Sequence, residues 1–302
     1  MSRRRLLQIL ALTFTFLYVG PVFGQTLDSE SPQVIFEKAL SLDSSGDPRA
    51  EDEYRRAIDA RNGVYPEAWR RLSVFYAERL RFAEAEQALR IALKQTQEKV
   101  WEHERQQVTQ FKRAAELKAR SDEGDNLSAD ESVELVKVID QYGKTEAARP
   151  YAEKAVAEYP NSAKALTTLA ALLTWDLQQR PRAIVLLNQA VSLEPANPDV
   201  YLARGSGYYW CLGDWIQAET DFRRAMELSK KPITVASAWY GLGPALAKQG
   251  RWKEAISAYE KFLKMRPKSA AHHDGAVRKW IADLREVIKN PALVERKPVN
   301  PR

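Results

Sequence analysis

The chain has 302 residues, 45% of them hydrophobic and 28% charged, which is enough apolar material to bury a core and excludes disorder throughout. Its formal net charge is +6, and its single cysteine, Cys211, excludes an intramolecular disulfide, so stability must come from packing.

Residues 1–24 read as a secretory signal. Arg3, Arg4 and Arg5 form a positive start, and Leu6 to Val19 is apolar apart from Gln8, Thr13 and Thr15. Gly20-Pro21 then breaks the helix, and Val22-Phe23-Gly24 places a small residue before Gln25, where cleavage is expected. The apolar stretch is short against the roughly 20 residues of a bilayer span, so a membrane is expected as a partner only if the segment stays uncleaved. Removing these three arginines from the 46 basic residues leaves 43 against 40 acidic ones, a net +3. The sequence pI of about 9.2 therefore does not argue for nucleic acid. An exported chain, in a periplasmic or extracellular location, is the expectation.

From residue 32 onward the sequence repeats with a period of about 34. A degenerate first unit, near 32–65, carries Gly46-Asp47, Ala50, Tyr54 and Ala57. The unit at 66–99 carries Trp69, Leu72, Tyr76, Ala85, Leu89 and Ala92. Each unit places apolar residues at i, i+3, i+4 and i+7 on two helices of about 12–14 residues, with a Gly-containing turn between them in the clearer copies. Residues 98–120 depart from the period and are rich in Gln, Glu, Lys and Arg. They read as an extended or extra helix, closed by a loop over 121–126, and Ser128-x-x-Glu131 is a capping-box start for the next unit.

Four more units follow. Residues 129–162 carry Leu135, Ile139, Gly143, Ala148, Ala152, Ala155 and Pro160. Residues 163–197 carry Leu166, Leu169, Leu173, Ala183, Leu187, Ala190 and Pro195. Residues 198–235 carry Tyr201, Gly205, Tyr208, Gly213, Ala218, Phe222 and Ala225, and these last two units share one inserted residue before their second helix. Residues 236–269 are the clearest copy, with Trp239, Leu242, Gly243, Leu246, Gly250, Ala255, Tyr259, Phe262 and Pro267. A closing proline cannot sit inside a helix, so it ends one unit before the next begins. Ala276 to Lys289 shows Val277, Trp280, Ile281, Leu284, Val287 and Ile288 at helical spacing and reads as a cap helix, followed by a tail at 291–302.

These residues resemble the tetratricopeptide-repeat pattern W-x2-L-G-x2-Y, A-x3-F, P. The resemblance covers most of 32–269 and implies an all-α helical-repeat solenoid, a right-handed superhelix of helix-turn-helix pairs. The expected organisation is a signal at 1–24, an N-terminal lobe of about two repeats at 25–99, an extended helix and loop at 100–128, a C-terminal lobe of about four repeats at 129–269, a cap helix at 270–290 and a tail at 291–302. Two departures stand out. Arg204 occupies a position where the family usually keeps a core Leu, and a buried unpaired charge is costly. Pro244 falls inside a first helix, where it deletes one hydrogen bond and is expected to kink it.

Residue patterns for catalysis are lacking, so no enzyme and no cofactor or metal is expected. His103 stands alone, and His272 and His273 are adjacent, read as a solvated turn with no zinc spacing. Cys211 sits between Trp210 and Leu212 and reads as a buried, inert thiol. Acid pairs such as Glu51-Asp52 are expected on solvated helix faces. The family resemblance places groove residues on the first helix of each unit, and carried over here it implies a partner-binding groove with Trp175, Tyr209, Trp210, Tyr240 and Lys248, with Lys164 and Asp199 beside them. The Lys/Asn set that clamps a C-terminal carboxylate in chaperone-binding relatives is absent. Trp175 and Trp210 are expected as a spaced pair along one wall. The implied function is a non-enzymatic scaffold for a protein or peptide partner, and the alternative is a glycan-binding solenoid whose aromatics stack on sugar rings.

Overall fold

A computed structural model describes residues 30–96 and 102–290. The segment at 1–24 and the tail at 291–302 lie outside the described residues, as does the junction at 97–101. Among the described residues the regular structure is helical throughout, with no strand. Contacts divide the chain into two units, one comprising residues 1–127 and 137–147, the other 128–136 and 148–302.

The first unit contains α1 (Pro32–Ser45), α2 (Ala50–Asp59), α3 (Pro66–Ala77), α4 (Phe82–Gln95) and α5 (Glu102–Asp122). Local chemistry sets the ends of α1. The Ser31 hydroxyl accepts from the Val34 N–H at 3.3 Å, with Pro32 at the first helical position, where its missing N–H costs nothing. At the other end Gly46 takes a φ of +78°, and the Gly46 and Asp47 N–H groups donate back to Asp43 and Leu42. That left-handed closure is open to Gly at little cost.

Small residues let the helices of a pair approach. Ala39 on α1 and Ala50 and Ala57 on α2 are fully buried, and so are Leu72 on α3 and Ala85 and Ala92 on α4. Tyr54 is buried with them, and its hydroxyl donates to Asp43 at 3.0 Å. Trp69 is anchored by its indole N–H, which donates to the Gly63 carbonyl at 3.0 Å.

Glu51 corrects the expectation of a solvated acid. Its carboxylate accepts from the Tyr76 hydroxyl at 2.8 Å and from Arg81 at 2.6 Å, and Arg55 lies at 3.3 Å. Burial pushes its pKa up, and hydrogen bonds from Arg81 and Tyr76 outweigh that and hold it below the ordinary carboxylate value. Sequence spacing could not show this, because Tyr76 and Arg81 arrive from the next pair. Helix α5 is placed by Phe111, Ala114 and Leu117, with Phe111 stacked on Phe82 at 6.3 Å. It runs on to Asp122, so Ser121 and Asp122 are helical where a loop was expected.

Helices α6 (Ala129–Gln141) and α7 (Thr145–Glu158) follow. The capping box is formed: the Ser128 N–H donates to Glu131 at 3.0 Å, and the Glu131 N–H donates to the Ser128 hydroxyl at 3.3 Å.

The second unit continues with α8 (Ala163–Leu173), α9 (Arg180–Leu193), α10 (Pro198–Gly207), α11 (Trp215–Leu228), α12 (Pro232–Lys248), α13 (Trp252–Met265) and α14 (Asp274–Lys289). Pro195 and Pro267 fall just beyond α9 and α13, as their missing N–H requires. The inserted residue of the 198–235 repeat is absorbed by a π-helical turn over Tyr208–Leu212, closed by Gly213 at a φ of +64°. Asp214 then starts α11 by accepting from the Gln217 N–H at 3.0 Å.

Arg204 is paired. Its guanidinium donates to both carboxylate oxygens of Asp221, at 2.8 and 2.9 Å, and Asn188 accepts a third bond at 3.3 Å. Asp221 is almost wholly buried, so each charge compensates the other. Pro244 is buried within α12, which runs through it as one helix from Pro232 to Lys248. Beside it, Gly241 and Gly243 permit close contact. A Cβ on Gly241 would lie 2.5 Å from the Phe222 ring, and one on Gly243 2.4 Å from the Tyr259 ring.

Candidate functional site

The second unit holds a cavity of about 120 Å³. Its lining comes from five elements: Ser206 on α10, Tyr209 and Trp210 in the π-helical turn, Phe222 on α11, Tyr240, Gly241 and Pro244 on α12, and Trp280 on α14. Gly241 shapes it, since any side chain there would displace Phe222. Pro244 adds an apolar ring with no N–H to satisfy.

The aromatic rings support one another. Tyr209 meets Trp210 edge-to-face at 4.7 Å, and Tyr240 lies 6.1 Å from Trp280, which in turn lies 5.5 Å from Tyr259. Burial pushes the Tyr209 phenol up to about 12 and raises that of Tyr240, so both stay neutral at ordinary pH. The Ser206 hydroxyl donates its proton to the Leu202 carbonyl at 3.0 Å. The chemistry on offer is contact with a small apolar group.

Tyr209, Trp210 and Tyr240, named from the sequence, are therefore brought together around one cavity. Trp175 and Lys248 are not among its lining residues. Trp175 is exposed, and its ring lies 5.5 Å from that of Trp210. The two tryptophans touch, which corrects the expected spaced pair: the π-helical turn carries Trp210 toward the preceding repeat. Lys248 is exposed, with its ammonium 5.7 Å from the Trp215 ring. Lys164, named beside the groove, is paired with Asp130.

The sequence reading missed Phe222 and Trp280. Phe222 reads from the sequence only as a repeat residue of 198–235 and Trp280 as part of the cap helix, and the packing of α14 against Tyr240 and Tyr259 brings Trp280 to the cavity. His273 also departs from the solvated turn expected of it. The turn is a 3-10 helix over Lys268–His273, and the His273 ring packs 4.9 Å from Tyr240. Burial lowers its pKa, His272 lowers it further, and Asp274 opposes both. Cys211 is half-buried, with its sulfur 3.7 Å from the Thr174 hydroxyl, and burial pushes the thiol pKa up, away from reactivity. Among the described residues no cluster of three or more His, Cys, Asp or Glu side chains is placed to hold a metal.

Two family models match the chain, both described as tetratricopeptide repeat, at residues 36–99 and 236–269. No curated protein matches it. Solved structures similar to it include a thermophilic TPR protein of Thermus thermophilus, at 19% identity and a TM-score of 0.45, covering 73% of this chain and 98% of that one. A tetratricopeptide repeat protein from Parabacteroides merdae is 14% identical with a TM-score of 0.47, over 84% of this chain and 98% of that one. The C-terminal part of a TPR repeat-containing protein from Cytophaga hutchinsonii is 16% identical with a TM-score of 0.40, over 85% and 90%. With its paired helices of about 34-residue period, the chain is an all-α helical-repeat protein that carries tetratricopeptide repeats at residues 36–99 and 236–269.

Proposed function

We propose that the protein is a non-enzymatic exported scaffold whose second unit holds a peptide segment of a protein partner, with the cavity beside Trp210 taking one apolar side chain. The observation that carries this reading is the cavity itself. Tyr209, Trp210, Phe222, Tyr240 and Trp280 enclose about 120 Å³, the scale of one aliphatic side chain. Rigid aromatics bring large contact area at little entropic cost, which suits an anchor pocket. A sugar ring, by contrast, needs polar partners for its hydroxyls, and this lining is mostly aromatic, with the Ser206 hydroxyl proton already donated to the Leu202 carbonyl. The peptide reading is therefore preferred to the glycan one.

Affinity capture with the chain from Gln25 onward, read by mass spectrometry, identifies the partner, and the Kd is then measured for two variants. Trp210→Ala is expected to weaken binding by about 2 kcal/mol or more, as truncating a buried aromatic anchor does. Because Trp210 also packs on Tyr209, Ser206→Phe provides a second reading. Ser206 is an exposed residue on the cavity lining, so a ring there fills the cavity at little cost in stability. Unchanged affinity in Ser206→Phe would remove the cavity from the account.

Export rests on the order of charge, apolar run and small residues over 1–24. N-terminal sequencing of the exported chain is expected to begin at Gln25. A start at Met1 would contradict cleavage and favour a membrane anchor.

A further inference from the structure

Three turns within the helix pairs of the second unit form one continuous surface. They connect α8 to α9, α10 to α11, and α12 to α13. Contacts join them in series: the Cys211 sulfur lies 3.7 Å from the Thr174 hydroxyl, and the Trp175 and Trp210 rings meet at 5.5 Å. The Gln249 side-chain amide donates to the Trp215 carbonyl at 3.2 Å, and the Lys248 ammonium stands 5.7 Å from the Trp215 ring.

Along this edge Trp175 is 57% exposed, Leu177 70%, Leu212 55% and Ile216 66%. Trp210, Trp215 and Trp252 are half-buried at the same turns. Single exposed apolar residues need no explanation, whereas several on contiguous turns mark an interaction surface.

The charges around them select the partner. Arg180, Lys248 and Lys253 belong to the same turns and enter no ion pair among the described residues; Arg180 donates only to the Thr174 carbonyl. Arg251 and Arg223 balance Glu219 and Glu254, and Arg149 balances Asp176. Of the acids on these turns that leaves Asp214, which accepts from the Gln217 N–H at the start of α11 and sets one negative charge against the three cations. The unbalanced charge is positive, so a second copy of the same edge would set cation against cation.

We propose that this edge docks peripherally on an anionic lipid surface. Trp175, Leu177, Leu212 and Ile216 enter the boundary between headgroups and acyl chains, while Arg180, Lys248 and Lys253 face lipid phosphates. Tryptophan with aliphatic side chains, rimmed by cations, is the composition that partitions to that boundary. No helix among the described residues is long and apolar enough to cross a membrane. The inference stands apart from the cavity: Leu177 and Ile216 do not line it.

The test is co-sedimentation of the full chain with vesicles of phosphatidylglycerol and phosphatidylcholine, against phosphatidylcholine alone. The wild type is expected to bind the anionic vesicles, less so as salt rises. The double variant Leu177→Asp, Ile216→Asp is expected to bind at least tenfold more weakly with an unchanged melting midpoint, both positions being exposed. Lys248→Glu with Lys253→Glu is expected to weaken binding to anionic vesicles only. Undiminished binding by the aspartate variant would overturn the proposal and assign any lipid contact to the apolar stretch at 6–19. Equal binding to phosphatidylcholine alone would overturn it too, as would a dimer that the aspartates dissociate without any effect on vesicles.

Discussion

Replacing Ala255 by Trp is expected to destabilise the second unit by about 3 kcal/mol or more, while Lys253→Trp, two residues earlier on the same helix, changes stability by about 0.5 kcal/mol or less. Ala255 is fully buried in the cluster that contains Leu242, Leu246 and Tyr259, where α12 and α13 pack together. An indole there has no space to occupy, so the two helices must separate, and the Tyr259 contact on Gly243 is lost with them. Lys253 is exposed. Repeat arrays draw their stability from nearest-neighbour interfaces, so the damage should extend to the docking of α14. Urea or thermal melts of the two variants provide the measurement. Equal midpoints would mean that the register assigned to α13 is wrong.

The Arg204–Asp221 pair should give the next largest effect, and its sign depends on how it is broken. Asp221→Ala leaves the guanidinium half-buried against Tyr201 and Tyr208, whose ring centres lie 5.7 and 5.6 Å away, with only Asn188 as a hydrogen-bond acceptor. Removing one partner of a buried pair costs about 3–5 kcal/mol, and the partial exposure of Arg204, at 20% of its side chain, places this case near the lower end. Replacing both residues by leucine removes the desolvation cost along with the attraction. That double variant is expected to be within about 1 kcal/mol of the wild type, or more stable. Denaturant unfolding of the two singles and the double completes the cycle. An Asp221→Ala loss below about 1 kcal/mol would show that water already screens the pair.

The comparison of Arg204 with Glu51 shows where sequence reasoning stops. Both are charges on helices of a repeat unit, and in both the partner that decides their state lies 17 to 30 residues away. Helical periodicity reports which face of a helix is apolar. It carries no information on which polar group of another helix will be opposite a given charge. Arg204 therefore read as a liability and Glu51 as a solvated acid, and each proved to be held by a partner from a different helix.

The cavity divides along the same line. Tyr209, Trp210 and Tyr240 were named because the family resemblance implies that these repeat positions share one side, and the structure sets all three around one cavity. The contact of Trp175 with Trp210 was not legible, because one inserted residue became a π-helical turn and rotated the side chains that follow. Trp280 was not legible either: its own helix shows only that it lies near an apolar stripe, and the packing of α14 brings it beside Tyr240.

The sequence by itself determined the all-α class, the helix pairs, the positions of their turns and the buried alanines. Each of these follows from spacing within some 34 residues, from the chain conformations that Gly and Pro allow, and from the need of an amphipathic helix to cover one face. The tertiary structure alone decided which polar groups pair, how the inserted residue is absorbed, and which aromatics enclose space instead of filling it. Those outcomes depend on distances of a few ångströms between helices remote in the chain, and no local pattern encodes them.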